Sequence, residues 1–80
     1  MKIRLLYFAV LRDIAGKRDD VMDVPEGTSA ADVWQRFREE HGELRDYKQP
    51  MTAVNETYAD ADQVLRDGDE LAFIPPVAGG

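Results

Sequence analysis

Asp67-Gly68-Asp69-Glu70-Leu71-Ala72-Phe73-Ile74-Pro75-Pro76 is the stretch of this 80-residue chain that decides the fold. Asp67-Gly68-Asp69 is a turn signal, and the apolar run from Glu70 to Ile74 predicts the last strand of a sheet. Apolar residues fall on both faces of this strand, which is typical of a strand in the middle of a sheet. The two prolines end the pairing, because they lack an amide hydrogen and keep the backbone extended.

A first strand with the same two-sided pattern is predicted over residues 2–10. One face carries Ile3, Leu5, Tyr7 and Ala9, and the other carries Arg4, Leu6, Phe8 and Val10. A turn at Ala15-Gly16-Lys17 leads to a second strand over residues 20–24, paired with the first as a hairpin. The first and last strands, apolar on both faces, are expected to lie side by side and parallel in the middle of the sheet.

A single main helix follows Pro25-Glu26-Gly27. Ser29 and Asp32 have the spacing of a capping box at its start, and Gly42 is the predicted C-cap. Its apolar residues recur at helical spacing and are expected in the core: Ala30, Val33, Trp34 and Phe37.

Two short strands complete the predicted order. Residues 43–50 are interpreted as a polar connection, residues 51–55 as a third strand, and Tyr58 as the start of a brief fourth. One helix covering one face of a mixed sheet of four to five strands is an α+β layer. The chain is therefore predicted to form one domain over residues 1–80, with a flexible C-terminal tail over residues 75–80.

The composition excludes several kinds of site. Zero cysteines remove disulfides, Cys-based zinc sites, iron–sulfur clusters and thiol nucleophiles. His41, the single histidine, is expected at the C-terminal end of the helix, where it favours the helix dipole. Asp60, Asp62, Asp67 and Asp69 resemble a calcium loop, but Val64 stands where an oxygen ligand is needed and the sixth position lacks glycine. No metal and no stably bound cofactor are expected.

The net charge of −6 argues against a nucleic-acid partner, because phosphate binding needs clustered Lys and Arg. An acidic domain favours partners with basic surfaces. No apolar run approaches the ~20 residues that span a bilayer, and the first residues lack the pattern of a signal peptide. A cytoplasmic protein without a membrane partner is expected.

The last four residues are Val77, Ala78, Gly79 and Gly80. Glycines without a Cβ can enter a channel too narrow for side chains, and Pro75-Pro76 stiffens the backbone that precedes them. We expect this segment to present the Gly80 carboxylate outward as the reactive group. The competing interpretation is a frayed tail, which is common at chain termini.

Three blocks of residues resemble a known family. They are Leu6-Tyr7-Phe8-Ala9-Val10-Leu11-Arg12-Asp13 with Gly16, Ala53-Val54-Asn55-Glu56-Thr57, and Leu65 to Gly80, which contains the stretch quoted first. Together they resemble the small subunit of molybdopterin synthase, a sulfur carrier of the MoaD type with the ubiquitin-like β-grasp fold. The likeness covers essentially the whole chain.

The resemblance implies a reaction cycle centred on Gly80. An activating enzyme of the MoeB type, similar to ubiquitin-activating enzymes, would use ATP to adenylate the Gly80 carboxylate, and a sulfur donor would convert it to a thiocarboxylate. Inserted with Val77, Ala78 and Gly79 into a large subunit of the MoaE type, Gly80 would pass sulfur to a pterin precursor (precursor Z, cyclic pyranopterin monophosphate). The chain would be a non-catalytic subunit of a heterotetramer in molybdenum cofactor biosynthesis.

Phe8, Tyr58 and Ile74 are the predicted partner-binding residues. Phe8 and Ile74 fall on the strand faces opposite the core and are expected to meet on the outer sheet face, where an apolar patch usually marks a partner site. The resemblance implies that both the activating enzyme and the large subunit use this patch. It also implies a partner salt bridge for Arg12, whose alternative is an exposed surface pair.

Three other functions remain open on the sequence. A thiamine-type sulfur carrier also ends in Gly-Gly, although Pro75-Pro76-Val77 and Ala53-Val54-Asn55-Glu56-Thr57 favour the molybdopterin synthase type. A ubiquitin-like modifier would be attached to lysines through Gly80. A non-covalent β-grasp interaction module would leave the terminal glycines idle.

Overall fold

The computed structural model of the protein describes residues 1–76. The strands are β1 (Lys2–Tyr7), β2 (Asp19–Asp23), β3 (Met51–Val54), β4 (Thr57–Ala59) and β5 (Glu70–Ile74). The helices are α1 (Val10–Ala15) and α2 (Ala30–Glu40), followed by a 3₁₀ turn at Gly42–Leu44. The predicted flexible tail falls, from Val77 onward, outside the described residues.

The five strands form one mixed sheet in the order β2-β1-β5-β3-β4. β1 and β5 pair in parallel, from Arg4 opposite Glu70 to Tyr7 opposite Phe73, and every other pair is antiparallel. The expected central, parallel position of the first and last strands is confirmed. The architecture is the predicted α+β β-grasp arrangement, with one main helix against one face of the sheet.

The core lies between this sheet face and α2. The sheet contributes Ile3, Leu5, Tyr7, Leu71 and Phe73, and α2 contributes Ala30, Val33, Trp34 and Phe37. Phe37 stacks on Tyr7 with ring centroids 5.2 Å apart, and Trp34 meets Phe73 edge-on at 5.2 Å. Burial raises the pKa of Tyr7 to about 12, so its phenol stays neutral inside this aromatic cluster.

A capping box starts α2, as predicted. The Asp32 amide donates to Ser29 Oγ at 3.1 Å, and the Ser29 amide donates to Asp32 Oδ2 at 2.9 Å. The bond from the Ser29 amide is the main cause that lowers the pKa of Asp32. The other end differs from expectation, because the C-cap is His41 and not Gly42. Gly42 instead begins the 3₁₀ turn, and the His41 ring packs on Phe37 with centroids 4.6 Å apart.

The predicted first strand is too long, because β1 ends at Tyr7 and α1 begins at Val10. Ala9 turns the chain with φ 51°, and the buried Leu11 anchors the short helix in the core. Gly16 ends α1 in the left-handed conformation, with φ 76°. The apolar spacing of Leu11, Ile14 and Ala15 is helical, and this signal competes with the two-residue alternation that precedes it.

The connection predicted over residues 43–50 is not wholly polar. Leu44 is fully buried in the core and ends the 3₁₀ turn. A single apolar residue within a charged segment gives no periodic signal, so the sequence pattern does not reveal this anchor. No helix within residues 1–76 has the length and apolar character needed to cross a bilayer.

Phe37→Ala is expected to destabilise the domain by about 3–5 kcal/mol, because it leaves a cavity in the aromatic cluster. That loss rivals the lower end of typical domain stability, about 5 kcal/mol. Urea unfolding followed by circular dichroism measures the change. Gln35→Ala, at an exposed position of the same helix, is the control, with a change within about 0.5 kcal/mol. Equal unfolding midpoints for the two variants would contradict this core.

Candidate functional site

The outer face of the sheet, opposite α2, carries a row of apolar side chains across four strands. Leu6 is the register partner of Ala72, Ala72 is the partner of Ala53, and Ala53 is the partner of Tyr58. Large residues therefore stand at both ends of the row and alanines at its centre. The sheet is hollow where the alanines lie.

Phe8 and Ile74 extend this row toward one edge of the sheet. Tyr7 pairs with Phe73, so the next residues, Phe8 and Ile74, leave the two central strands at the same edge. Together with Tyr58 they line one hollow of about 320 Å³ whose floor includes Ala53 and Ala72. The structure thus brings the three sequence-predicted partner residues together. Their role as a binding surface stays a prediction.

We call Leu6, Phe8, Ala53, Tyr58, Ala72 and Ile74 the outer apolar face. Tyr58 is 71% exposed and Phe8 is 36% exposed, although both are large aromatic residues. Exposed apolar side chains that are contiguous are typical of interaction surfaces. Leu6, Ala53 and Ala72 were not predicted as partner residues. Alternation within β1 and β5 places Leu6 with Phe8 and Ala72 with Ile74, whereas the position of Ala53 follows from the register of β3 with β5.

Two carboxylates lie on the polar side of the same hollow. Glu56 and Glu70 both contribute to its lining. Glu70 lies 3.8 Å from the guanidinium of Arg4, which also pairs with Asp19 at 2.9 Å. Glu56 forms no ion pair within residues 1–76.

Asn55 fixes the β3–β4 turn to the start of β5. Its side-chain amide donates to Asp69 Oδ1 at 2.9 Å, its Oδ1 accepts from the Glu70 amide at 2.9 Å, and its own amide donates to the Glu70 carbonyl at 2.8 Å. Asn55 thus makes three hydrogen bonds to Asp69 and Glu70. They hold Glu56 and Tyr58 in place beside the central strand.

The tail begins at the edge of the sheet where Phe8 and Ile74 lie. Pro75 is half-buried and Pro76 is exposed, and both line a second groove of about 480 Å³ together with Val10, Trp34 and Tyr47. The residues predicted to enter a partner, Val77, Ala78, Gly79 and Gly80, lie outside the described residues. The outer apolar face reaches the start of this segment through Ile74, the residue that precedes the two prolines.

Arg12 lies on α1 and is exposed. It does not line the hollow of the outer apolar face, and it forms no ion pair with any residue of the described part of the chain. The exposed surface pair that was its alternative role is therefore not seen within residues 1–76. Its predicted salt bridge to a partner remains a prediction.

Two of the four aspartates that resemble a calcium loop, Asp67 and Asp69, have structural partners. Asp67 Oδ1 accepts from the Lys2 amide at 2.7 Å, and Asp69 Oδ2 accepts from the Arg66 amide at 2.7 Å. These bonds tie the turn before β5 to β1 and to itself. Across residues 1–76, no group of three or more potential ligand side chains is positioned to hold a metal ion.

Comparison with known proteins gives matches over nearly the whole chain. The ThiS family model matches residues 5–80. The molybdopterin synthase sulfur carrier subunit of Mycobacterium tuberculosis is 39% identical over 100% of this chain and 99% of that protein. The human protein of the same name is 37% identical over 99% of this chain and 94% of its own length.

Solved structures share the fold. SAMP1 from Haloferax volcanii superposes with a TM-score of 0.83 at 27% identity, and 100% of each chain is covered. Subunit 1 or 2 in a protein–protein complex of molybdopterin-converting factor from Helicobacter pylori superposes with a TM-score of 0.67 at 20% identity over 100% of both chains. The second likeness shows the fold alone. From the family match and the full-length relatives, the chain belongs to the ThiS family and groups with the molybdopterin synthase sulfur carrier subunits.

Proposed function

We propose that the protein carries sulfur as a thiocarboxylate on Gly80 and delivers it, as the small subunit of molybdopterin synthase, to a pterin precursor. The observation that carries the proposal is the exit of the chain from the central strand, through Pro75 and Pro76, beside an exposed apolar face. The full-length relatives are named sulfur carrier subunits, so sulfur is the group that we propose is carried. The Gly80 carboxylate is the proposed site of attachment.

The chemistry begins with a poor electrophile, a glycine carboxylate. A carboxylate oxygen attacks the α-phosphorus of ATP and pyrophosphate leaves, which produces an acyl-adenylate. The outer sulfur of a donor persulfide then attacks the acyl carbon and AMP leaves. A thiol next attacks the inner sulfur of the donor, so that a disulfide forms and the thiocarboxylate is released with the electron pair of the broken S–S bond. ATP is consumed on the activating enzyme, and this chain holds no cofactor of its own. The absence of cysteine from the sequence is consistent with a carrier that holds sulfur on its main chain.

The geometry limits how far the sulfur can be delivered. An extended chain spans at most about 3.3–3.6 Å per residue, so Gly80 can reach no more than roughly 14 Å beyond Pro76. A partner must therefore place its reactive centre within that distance of Pro76, two residues beyond the end of β5 at Ile74. Docking on the outer apolar face satisfies this limit, because the face and the start of the tail adjoin.

Two partners use this face in turn under the proposal. The MoeB-type activating enzyme binds it for adenylation, and the MoaE-type large subunit binds it for sulfur transfer in a heterotetramer. Both encounters take place in the cytoplasm, where ATP is available. Since one face serves both partners, the carrier must leave the first before it can bind the second.

A second function is favoured by one observation. SAMP1 from Haloferax volcanii is 27% identical to this chain and superposes with a TM-score of 0.83. A second solved structure from the same organism is described as small archaeal modifier protein 1. A modifier would use the same acyl-adenylate but pass Gly80 to a lysine amine, which forms an isopeptide bond. Intact masses of proteins from the native cells separate the two functions, because a carrier exchanges one oxygen for sulfur and a modifier gains a conjugated protein.

Deletion of Gly80 is expected to abolish ATP-dependent activation, because it moves the carboxylate one residue away from the activating enzyme's reactive centre. Pyrophosphate release with the cognate activating enzyme measures the step. The truncated protein should unfold at the wild-type temperature, since no core residue changes. ATP consumption at the wild-type rate by the truncated protein would refute a reaction centred on Gly80.

Gly79→Val tests whether the tail enters a narrow channel. The variant keeps its carboxylate and its docking face, but sulfur transfer is expected to fall on the order of a hundredfold, because misplacing the reacting atom by ~1 Å has such an effect. Molybdopterin formed by the reconstituted synthase with thiocarboxylated protein is the readout. Gly79→Ala should give an intermediate rate. Full activity of the valine variant would show that the partner does not select these glycines by size.

Phe8→Asp is expected to weaken binding to the activating enzyme and to the large subunit alike, because it puts a charge on the outer apolar face. Loss of an apolar hot spot costs about 2 kcal/mol or more of binding free energy, which calorimetric titration with each partner detects. Val64→Asp, at a 55% exposed position outside the hollow, is the control. Unchanged affinity for both partners would remove Phe8 from the interface.

A further inference from the structure

The β3–β4 turn contains a residue in a backbone conformation that its side chain disfavours. Two residues, Asn55 and Glu56, join the strands, with φ angles of 51° and 69°. Two-residue hairpin turns in which both residues have positive φ strongly prefer Asn followed by Gly. Asn55 fits the preference and makes three hydrogen bonds to Asp69 and Glu70. Glu56 stands where glycine is preferred.

The hydrogen bonds of Asn55 hold this turn, but no ion pair of the Glu56 side chain within residues 1–76 offsets the disfavoured conformation. Its side chain is exposed, and within residues 1–76 it accepts no hydrogen bond and forms no ion pair. A disfavoured backbone conformation that gains no intramolecular contact is a feature often found at functional sites. The position of Glu56 points to a function in partner binding. Glu56 lines the hollow of the outer apolar face together with Phe8, Tyr58 and Ile74.

The other carboxylate on the rim is already neutralised in part. Glu70 lies 3.8 Å from Arg4, whereas Glu56 has no counter-charge among residues 1–76. A partner that covers the apolar face removes water from the carboxylate beside it, and a carboxylate that loses water needs an opposite charge. Glu56 therefore sets a requirement on the partner, namely a cation next to its apolar contact.

We propose that Glu56 is a specificity residue of the outer apolar face and pairs with a Lys or Arg of the synthase large subunit. The inference rests on the proposed function, since it takes the large subunit as the occupant of the face. The charge complementarity extends the general rule that an acidic protein, here with a net charge of −6, favours a basic partner surface. In this proposal the attraction acts through one side chain, that of Glu56.

The test separates charge from backbone strain. Glu56→Gln keeps the disfavoured conformation and removes the charge, so its unfolding temperature should equal that of the wild type while its Kd for the large subunit rises about tenfold. Glu56→Gly removes both the charge and the backbone strain. Its affinity for the large subunit should therefore fall as much as that of Glu56→Gln, while its unfolding temperature rises by about 4 °C. A gain in stability together with a loss of affinity is the expected result.

Salt and a matched variant complete the experiment. Wild-type affinity should fall as ionic strength rises, and Glu56→Gln should show a shallower dependence, because salt screens the lost pair. Glu26→Gln changes the net charge equally at an exposed turn away from the hollow and should bind like the wild type.

Wild-type Kd and wild-type salt dependence in Glu56→Gln would overturn the inference. Weakened binding of Phe8→Asp in the same titrations would then leave the docking face itself intact. A wild-type protein that does not bind the large subunit would overturn both the inference and the proposed function.

Discussion

The parallel pairing of β1 with β5 is the interaction on which the rest of the structure depends. It joins the two strands at the centre of the sheet, from Arg4 opposite Glu70 to Tyr7 opposite Phe73. Parallel strands end at the same edge, so the residues that follow β1 and those that follow β5 emerge together. The outer apolar face and the start of the tail adjoin for this reason.

β5 links the core to the outer face through its alternating side chains. Leu71 and Phe73 point into the core, and Ala72 and Ile74 belong to the opposite face. A shift of the register by one residue would exchange the two sets. The aromatic packing of Phe73 against Trp34 therefore also fixes where the alanine floor of the hollow lies. The core and the outer apolar face are therefore both formed by neighbouring residues of one strand.

Local patterns were sufficient for the parts of the fold that local chemistry determines. The bounds of β5 follow from its apolar pattern, and the capping box follows from the side-chain hydrogen bonding of Ser29. The central parallel pair follows from two strands that are apolar on both faces. The end of β1 was missed because Ala9 reverses the chain within an apolar run, and only the burial of Leu11 shows why. Alternation within β1 and β5 predicts Phe8 and Ile74 as outward residues and places Ala72 on the same face as Ile74. Tyr58 was assigned to this face through the family resemblance, and Ala53 and Glu56 join it through a cross-strand register that no single segment specifies.

The central place of β5 also governs when the domain can form during synthesis. Residue 4 pairs with residue 70, so the sheet cannot close until nearly all of the described chain has left the ribosome. Before that moment β1 and β3 each lack the neighbour that lies between them. Contacts between residues so distant in sequence slow folding and leave strand edges open to aggregation. The outer apolar face therefore forms only when β5 takes its place between β1 and β3, in the last step of sheet assembly.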